Sequence, residues 1–112
     1  MISRRLRLPR TRIEYLLKKG KRFGNDCIAL KYLSSSGQKK CESRFCVIIS
    51  ARIEPKAVKR NRLRRQIHEI IRLNRHLIPS PCDIAIIGEK NITNLSYKQI
   101  STAIVALFKK IR

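Results

Sequence analysis

The sequence predicts a single α+β domain, a two-layer sandwich of helices packed on a sheet. Its length of 112 residues suits one domain, 1–112, with a modest core. Three segments carry apolar residues at helical spacing, and three others carry the short apolar runs typical of strands. These segments follow the order helix, strand, strand, helix, strand, helix.

The first helix is predicted to begin at Thr11 and to end at Gly20. Thr11 and Glu14 have the spacing of a capping box, in which the threonine hydroxyl and the glutamate side chain satisfy two backbone donors. The apolar side consists of Ile13, Leu16 and Leu17. A helix this short has little stability alone, so it is expected to lean on a sheet.

Residues 27–33 and 44–51 are predicted to be strands. The second segment is a nearly continuous apolar run, which favours a central position in the sheet. The polar residues 34–40 between them predict a flexible hairpin connection.

Residues 56–75 predict a helix with two different sides. This stretch contains eight Lys and Arg residues and only one acid, Glu69, for which a salt bridge is expected. The apolar stripe comprises Leu63, Ile67, Ile70 and Ile71, and the opposite, cationic side comprises Arg62, Arg65 and Arg72. Glu54 and Pro55 mark the start of this helix, because proline in a first turn loses no hydrogen bond.

The C-terminal third predicts one more strand and one more helix. Pro79 and Pro81 end the arginine-rich helix, and residues 82–88 are predicted to be a buried strand. A strand, a helix and a strand in succession predict a parallel crossover. Ser96 and Gln99 form a capping box for the last helix. The apolar stripe of that helix, predicted to be core, comprises Tyr97, Ile100, Ile104, Leu107, Phe108 and Ile111.

The charge of the chain indicates a polyanionic partner. There are 27 Lys and Arg against 7 Asp and Glu, for a net charge of +20. A membrane partner is disfavoured, because the chain has no Trp and no apolar run near the roughly 18 residues of a membrane span. A helix-turn-helix DNA reader is disfavoured, because a strand precedes the arginine-rich helix where a second helix would be needed.

The four cysteines lack the spacing of a zinc or disulfide framework. Structural zinc sites typically combine two close ligand pairs with about two to four residues between the cysteines of a pair, and Cys27, Cys41, Cys46 and Cys82 do not form two such pairs. The N-terminal residues lack the apolar core of a secretion signal, so a cytoplasmic protein with reduced thiols is expected. Cys27 and Cys46 are predicted to pack as small apolar residues in strands.

The arginine-rich helix carries a resemblance to a known family. Residues 60–65, Arg-Asn-Arg-Leu-Arg-Arg, preceded by Lys-Ala-Val at 56–58 and followed by Ile67 and Glu69, resemble the signature helix of the bacterial ribonuclease P protein subunit. Gly20 with Lys21, the strand ending at Ser50 and the chain length extend the resemblance over nearly all 112 residues. The chain departs from the family pattern at Ala51 and Arg52, where two lysines are usual, and at His68, where a further arginine is usual.

This resemblance implies a fold and a function. One more short strand is expected, giving α-β-β-(β)-α-β-α, together with a left-handed strand-helix-strand crossover. The family resembled is the accessory subunit of an endonuclease that hydrolyses a phosphodiester to remove the 5′ leader of precursor tRNA, with magnesium held by the catalytic RNA subunit. No catalytic side chain and no firmly bound cofactor are expected in the protein, which alone is predicted to be inactive. Its presence should lower the magnesium requirement.

The resemblance also implies two binding surfaces. Catalytic RNA is expected to bind Lys56, Lys59, Arg60, Asn61, Arg62, Arg64 and Arg65. The leader strand is expected in a cleft between the first helix and the sheet, at Ile13, Leu17, Lys31, Tyr32, Ser50 and Arg52. The family uses aromatic residues in this cleft, whereas Ile13, Leu17 and Lys31 stand there in this chain. Strand alternation also permits Tyr32 in the core. The alternatives are a structural or ribosomal RNA-binding protein without a role in cleavage, and a DNA-binding module.

Overall fold

The computed structural model describes residues 7–24, 27–34, 43–78 and 82–111. The elements in chain order are α1 (Arg10–Lys19), β1 (Lys21–Gly24), β2 (Ile28–Ser34), β3 (Arg44–Ile48), α2 (Ala57–Asn74), β4 (Cys82–Gly88) and α3 (Tyr97–Lys109), with 3-10 turns at Arg75–Leu77 and Ile92–Asn94. The α+β class is confirmed, and the additional short strand expected from the resemblance is β1.

The four strands form one sheet in the order β1-β2-β4-β3. β1 with β2 and β2 with β4 are antiparallel, whereas β3 and β4 are parallel. The predicted crossover from β3 through α2 to β4 is therefore confirmed as parallel, and its left-handedness stays a prediction. The predicted hairpin pairing of β2 with β3 is wrong, because β4 lies between them. Residues 35–40 of the predicted connection lie outside the described residues.

The central position predicted for β3 is also wrong. β3 lies at the edge of the sheet, and it is apolar because it is covered on both faces and along part of its outer edge. The backbone N–H of Leu8 donates to the carbonyl oxygen of Phe45 at 2.9 Å, so the segment before α1 lines that edge. Such cover protects a strand edge from pairing with other chains.

Helices cover both faces of the sheet, and alternation along the strands divides the core accordingly. The larger cluster packs α2 and α3 against Leu30, Tyr32 and Ile84. The smaller cluster packs α1 on the other face, as a partial third layer, with Leu16 against Ala85. The predicted stripe of α2 is buried throughout. The stripe of α3 is buried except at Tyr97, which is 41% exposed at the first position of the helix.

Of the two predicted capping boxes, only the one in α3 is confirmed. The backbone N–H of Gln99 donates to Ser96 Oγ, and the backbone N–H of Ser96 donates to Gln99 Oε1. The box at Thr11 and Glu14 is wrong, because α1 begins one residue earlier, at Arg10, with Pro9 as its N-cap. Thr11 is thus inside the first turn, and Glu14 has no capping role.

The other predicted helix boundaries lie at or within about one residue of those observed. α2 begins at Ala57 with Lys56 as its N-cap, so Pro55 precedes the helix and does not occupy its first turn. Gly20 ends α1 as predicted. Pro79 and Pro81 lie outside the described residues, and α2 passes into a 3-10 turn at Arg75 before them.

Candidate nucleic-acid interface

The entry into α2 is held by its own side chains. Arg60 Nη1 donates to the carbonyl oxygens of Glu54 and Pro55, each at 2.9 Å. Glu54 Oε1 accepts from the backbone N–H of Lys56 at 3.3 Å. Glu54 is buried, so this turn is a fixed platform for the helix. One nitrogen of Arg60 is therefore engaged by backbone, which makes Arg60 a structural residue as well as a candidate RNA contact.

The exposed side of α2 carries the cations that the sequence placed there. Lys56, Lys59, Asn61, Arg62 and Arg65 are exposed polar residues in the N-terminal half of α2 or at its N-cap, and we call them the arginine face. Arg60 and Arg64 are half-buried at its borders. All seven predicted RNA-binding residues thus lie on α2 or its N-cap.

Charge on α2 is concentrated in its N-terminal half. The predicted salt bridge of Glu69 is confirmed, since Arg72 Nε donates to Glu69 Oε2 at 3.2 Å. The hydrogen bond from Arg72 lowers the pKa of Glu69, so this acid is ionised and neutralises the arginine beside it. The single acid of the helix therefore leaves the arginine face without a counter-charge from α2.

His68 lies inward, at the position where the family usually has an arginine. It is buried, and its Nδ1 has no hydrogen-bond partner within the described residues. Burial lowers the pKa of His68, and the nearby cations Arg7 and Arg64 lower it further. Since both causes favour the neutral imidazole, His68 adds no positive charge to α2.

On the other face of the sheet, α1 packs beside β2 and β4. Ile13 and Leu17 of α1, like Ile48 and Ile87 of the strands, are half-buried and pack against the smaller cluster that contains Leu16. Lys31 Nζ donates to the carbonyl oxygen of Leu17 at 2.6 Å. This bond satisfies a carbonyl in the last turn of α1, where a cation also suits the helix dipole. The ammonium group is thereby fixed beside the apolar pair Ile13 and Leu17.

Ser50 and Arg52 extend the same surface toward α2. Both are exposed, and with Ile48 and Ile87 they line an open cavity of about 360 Å³. Ile48 and Ile87 pack against the same small cluster as Ile13 and Leu17, so the cavity adjoins the face of the sheet that α1 covers. We call the surface formed by Ile13, Leu17, Lys31, Ile48, Ser50, Arg52 and Ile87 the α1 cleft.

Tyr32 does not belong to the α1 cleft, and the prediction that placed it there is wrong. Its side chain is 8% exposed and lies in the cluster under α2 and α3. Its ring stacks on Phe23 with centroids 5.5 Å apart. The reason is the two-residue period of a strand, since Lys31 faces α1 and its neighbour must face the opposite side.

The position of α1 depends on a buried acid that sequence reasoning missed. Asp83 of β4 is 1% exposed, and its Oδ2 accepts from Arg12 Nη2 at 2.8 Å. Its Oδ1 accepts from Arg44 Nε at 3.3 Å. Arg12 also lies against the ring of Tyr15, 5.1 Å from its centroid. The sequence did contain a signal for this ion pair: Asp83 is a single acid within an apolar strand of a strongly basic chain.

Other chemistry is sparse in the described part of the chain. No group of three or more His, Cys, Asp and Glu side chains there could hold a metal ion. Cys46 packs in the small cluster as predicted, and burial, with the charge of Asp83, raises the pKa of its thiol to about 12. Cys41 lies outside the described residues. Over those same residues, no helix is long and apolar enough to cross a membrane.

Comparison with known families decides the identity of this arrangement. The sequence model of the Ribonuclease P family matches residues 2–112. The chain belongs to the ribonuclease P protein family. The resemblance seen in the α2 signature is therefore confirmed over nearly the whole chain.

Curated relatives and solved structures agree with the family. The "Ribonuclease P protein component" of Pelotomaculum thermopropionicum is 30% identical over 104 residues, which cover 85% of this chain and 90% of that protein. The relative from Finegoldia magna is 41% identical over 54 residues, and that match spans about half, 48%, of either chain.

The ribonuclease P fold is shared with solved proteins. The RNase P protein from Thermotoga maritima superposes with a TM-score of 0.82 at 25% identity, covering 95% of this chain and 97% of that one. The RNase P protein of Staphylococcus aureus has the same fold, with a TM-score of 0.81 at 20% identity and coverage of 95% and 96%.

Proposed function

We propose that this ribonuclease P protein is the accessory subunit of a cytoplasmic ribonucleoprotein that removes the 5′ leader of precursor tRNA. The observation that carries the proposal is α2, which buries one stripe in the core and presents the arginine face to solvent. Lys59 lies in its first turn, where a cation opposes the helix dipole by about 0.3–1 kcal/mol, and Arg62 and Arg65 follow in the next two turns. RNA phosphates bound there would offset that cost, and guanidinium groups suit phosphate geometry.

The α1 cleft is the proposed path of the leader strand. Bases of a single strand can pack on the half-buried side chains of Ile13, Leu17, Ile48 and Ile87. Lys31 and Arg52 supply cations for its phosphates. Residues 50–56 lead directly from this cleft to the N-terminus of α2, so the leader and the catalytic RNA would bind adjacent surfaces. Apolar and ionic contacts would replace the aromatic stacking that is usual in the family.

Catalysis is assigned to the RNA subunit and the magnesium ions that it holds. In the described residues the protein offers cations and apolar surface, and the acids there are engaged or isolated: Asp83 by two arginines and Glu69 by Arg72. Its contribution is fixed positive charge where two polyanions meet. Fixed charge needs no ordering of dissolved ions at each turnover, so the complete enzyme should work at lower magnesium than RNA alone.

The test is precursor cleavage as a function of magnesium concentration. RNA alone, RNA with the wild-type protein and RNA with the double variant Arg62→Ala, Arg65→Ala are compared, and the variant curve should move toward that of RNA alone. Lys109→Ala, Lys110→Ala is the control, because it removes the same charge from exposed residues at the C-terminal end of α3, outside the arginine face and the α1 cleft. A magnesium requirement indifferent to the protein would leave only a structural or ribosomal RNA-binding role.

The salt dependence of binding supplies a second readout. If about five phosphates are neutralised, the slope of log affinity against log salt is about −4. Replacing Arg62 and Arg65 should reduce its magnitude by about 2, whereas the Lys109 and Lys110 variant should leave it unchanged. Unchanged slope and affinity in the arginine variant would mean that the arginine face contacts only solvent.

A further inference from the structure

A second concave surface lies on the side of α2 that faces α3. It is a half-open cavity of about 570 Å³, between the first turns of α2 and the segment that leads into α3. Its volume falls within the roughly 300–1,000 Å³ of typical small-ligand sites. The α1 helix covers the opposite face of the sheet, so this cavity is distinct from the α1 cleft.

The α2 wall of this cavity is cationic. Lys59 and Arg62 line it, and both are exposed members of the arginine face. Leu63, which is buried, forms an apolar floor beside them. A phosphate at the rim would therefore meet two cations, and RNA on the arginine face would pass directly over the opening.

The opposite wall suits a flat polar ring. Tyr97 lines the cavity and is 41% exposed, although every other residue of the α3 stripe is buried. Asn94, also at the wall, offers an amide with donors and acceptors. An exposed aromatic ring beside cations is the arrangement on which single-stranded bases stack.

Glu54 places a carboxyl group in the inner part of the cavity. This buried carboxylate lines the cavity, and its Oε1 faces the N-terminus of α2. A carboxylate repels phosphate but accepts hydrogen bonds from the amino group of a base, as in readout of cytosine N4. The distribution of charge thus favours one orientation of a nucleotide, with its phosphate outside at Lys59 and Arg62 and its base inside the cavity.

We propose that this cavity receives one unpaired nucleotide of the bound RNA, with a base that carries an exocyclic amino group. The inference rests on the proposed binding of RNA to the arginine face. Tyr97 stacks on the base, Glu54 accepts from its amino group, and uridine, which lacks that donor, is disfavoured. The site would give α2 a point of sequence preference within a surface that otherwise recognises phosphate.

The first test replaces Tyr97 and measures affinity for the cognate catalytic RNA. Tyr97→Ala should weaken binding roughly tenfold, as expected for loss of one base stack, and Tyr97→Phe should restore it. Tyr15→Ala is the matched control, since Tyr15 is also an exposed helix tyrosine beside an arginine and should have no effect. Circular dichroism verifies that each variant is folded.

Three outcomes of this experiment would contradict the inference, and the first separates it from the proposal on which it rests. Tyr97→Ala without effect, with Arg62→Ala, Arg65→Ala still weakening RNA binding, overturns the nucleotide site and leaves the RNA-binding helix intact. No loss in either variant overturns both. An equal loss for Tyr97→Ala and Tyr15→Ala also overturns the site, because it would reflect general surface contacts.

The second test addresses base preference in the folded protein. Backbone amide signals are followed by NMR during titration with cytidine 5′-monophosphate, uridine 5′-monophosphate and inorganic phosphate. Cytidine monophosphate should shift the amides of Gln66, Asn94 and Leu95 and bind at least about fivefold more tightly than the uridine nucleotide. Glu54→Gln should abolish that preference. Equal binding of the two nucleotides, or the same shifts with inorganic phosphate alone, would refute base recognition.

Discussion

Replacement of Asp83 by asparagine tests whether a buried ion pair fixes α1 against the sheet. The carboxylate is 1% exposed, and the side chains of its partners Arg12 and Arg44 are 35% and 23% exposed. An amide at this position would keep the volume of the side chain but lose the charge and one of two acceptor oxygens. Arg12 belongs to α1 and Asp83 to β4, so the change breaks a direct connection between the helix and the sheet.

The structure sets the size of the effect. Hydrogen bonds to charged groups contribute about 1.5–3 kcal/mol each, and breaking a fully buried pair costs about 3–5 kcal/mol. Both arginines reach solvent and regain some hydration, which reduces the loss. We therefore expect Asp83→Asn to lower the free energy of unfolding by about 2–4 kcal/mol. For a domain of this size the midpoint temperature should fall by roughly 10 °C or more.

This change is measured by urea unfolding monitored by circular dichroism. An unaltered m-value would show that the variant changes stability without changing the surface exposed on unfolding. Glu89→Gln is the control, because it breaks the pair between Glu89 and Arg22, whose side chains are 28% and 54% exposed. Such an exposed pair contributes at most about 1 kcal/mol. A cost for Asp83→Asn no larger than that for Glu89→Gln would refute the reasoning. So would an Arg12→Ala, Asp83→Asn double variant in which the two losses simply add.

Three further predictions concern single side chains. Ser96→Ala should cost about 1 kcal/mol of stability in urea unfolding, whereas Thr11→Ala, which removes no cap, should cost less than about 0.5 kcal/mol; equal losses would contradict the cap assignment. Tyr32→Ala should lower the free energy of unfolding by about 3–5 kcal/mol and weaken the binding of precursor and mature tRNA equally. A selective loss of precursor binding would instead indicate that Tyr32 contacts the leader. His68 has a folded pKa below its unfolded value, so its burial costs stability as pH falls below about 6.5. His68→Gln should flatten the dependence of the thermal midpoint on pH between about 7.5 and 5, and an unchanged profile would contradict the buried neutral state.

The helices were the most predictable part of the fold, because apolar spacing along the chain reports directly on burial. The stripe of Leu63, Ile67, Ile70 and Ile71 is buried as predicted, and the cations predicted for the opposite side are exposed. Periodicity fixes which residues share a side before any partner is known. The same pattern failed at Tyr97, because the first residue of a helix can project beyond the surface that its later residues cover.

Sheet order was not predictable from local pattern. The apolar run of β3 indicated burial on both faces, and a central strand is only one way to obtain it. α1 and the segment at Leu8 achieve the same burial for an edge strand. Strand pairing is a long-range property, so nothing between residues 27 and 51 reports that β4 will separate the two earlier strands.

The two proposed binding surfaces differ in the same way. The arginine face lies within one helix, so local spacing placed it correctly on the exposed side. The α1 cleft is assembled from α1, β2, β3 and β4, and its prediction needed the orientation of every contributing strand. Tyr32 was misplaced by one position in that alternation, and Asp83 was missed because its partners are 71 and 39 residues away.

The place of β4 between β2 and β3 has a consequence for synthesis of the protein. A ribosome completes β2, β3 and the arginine face of α2 before it makes Cys82–Gly88. Until then β2 and β3 have no common partner, so the sheet cannot close and the buried stripe of α2 has no complete surface to cover. The complete surface that supports α2 therefore exists only after Cys82–Gly88 has been made, and we expect the helix and its exposed arginine face to become fully ordered at that step and not before.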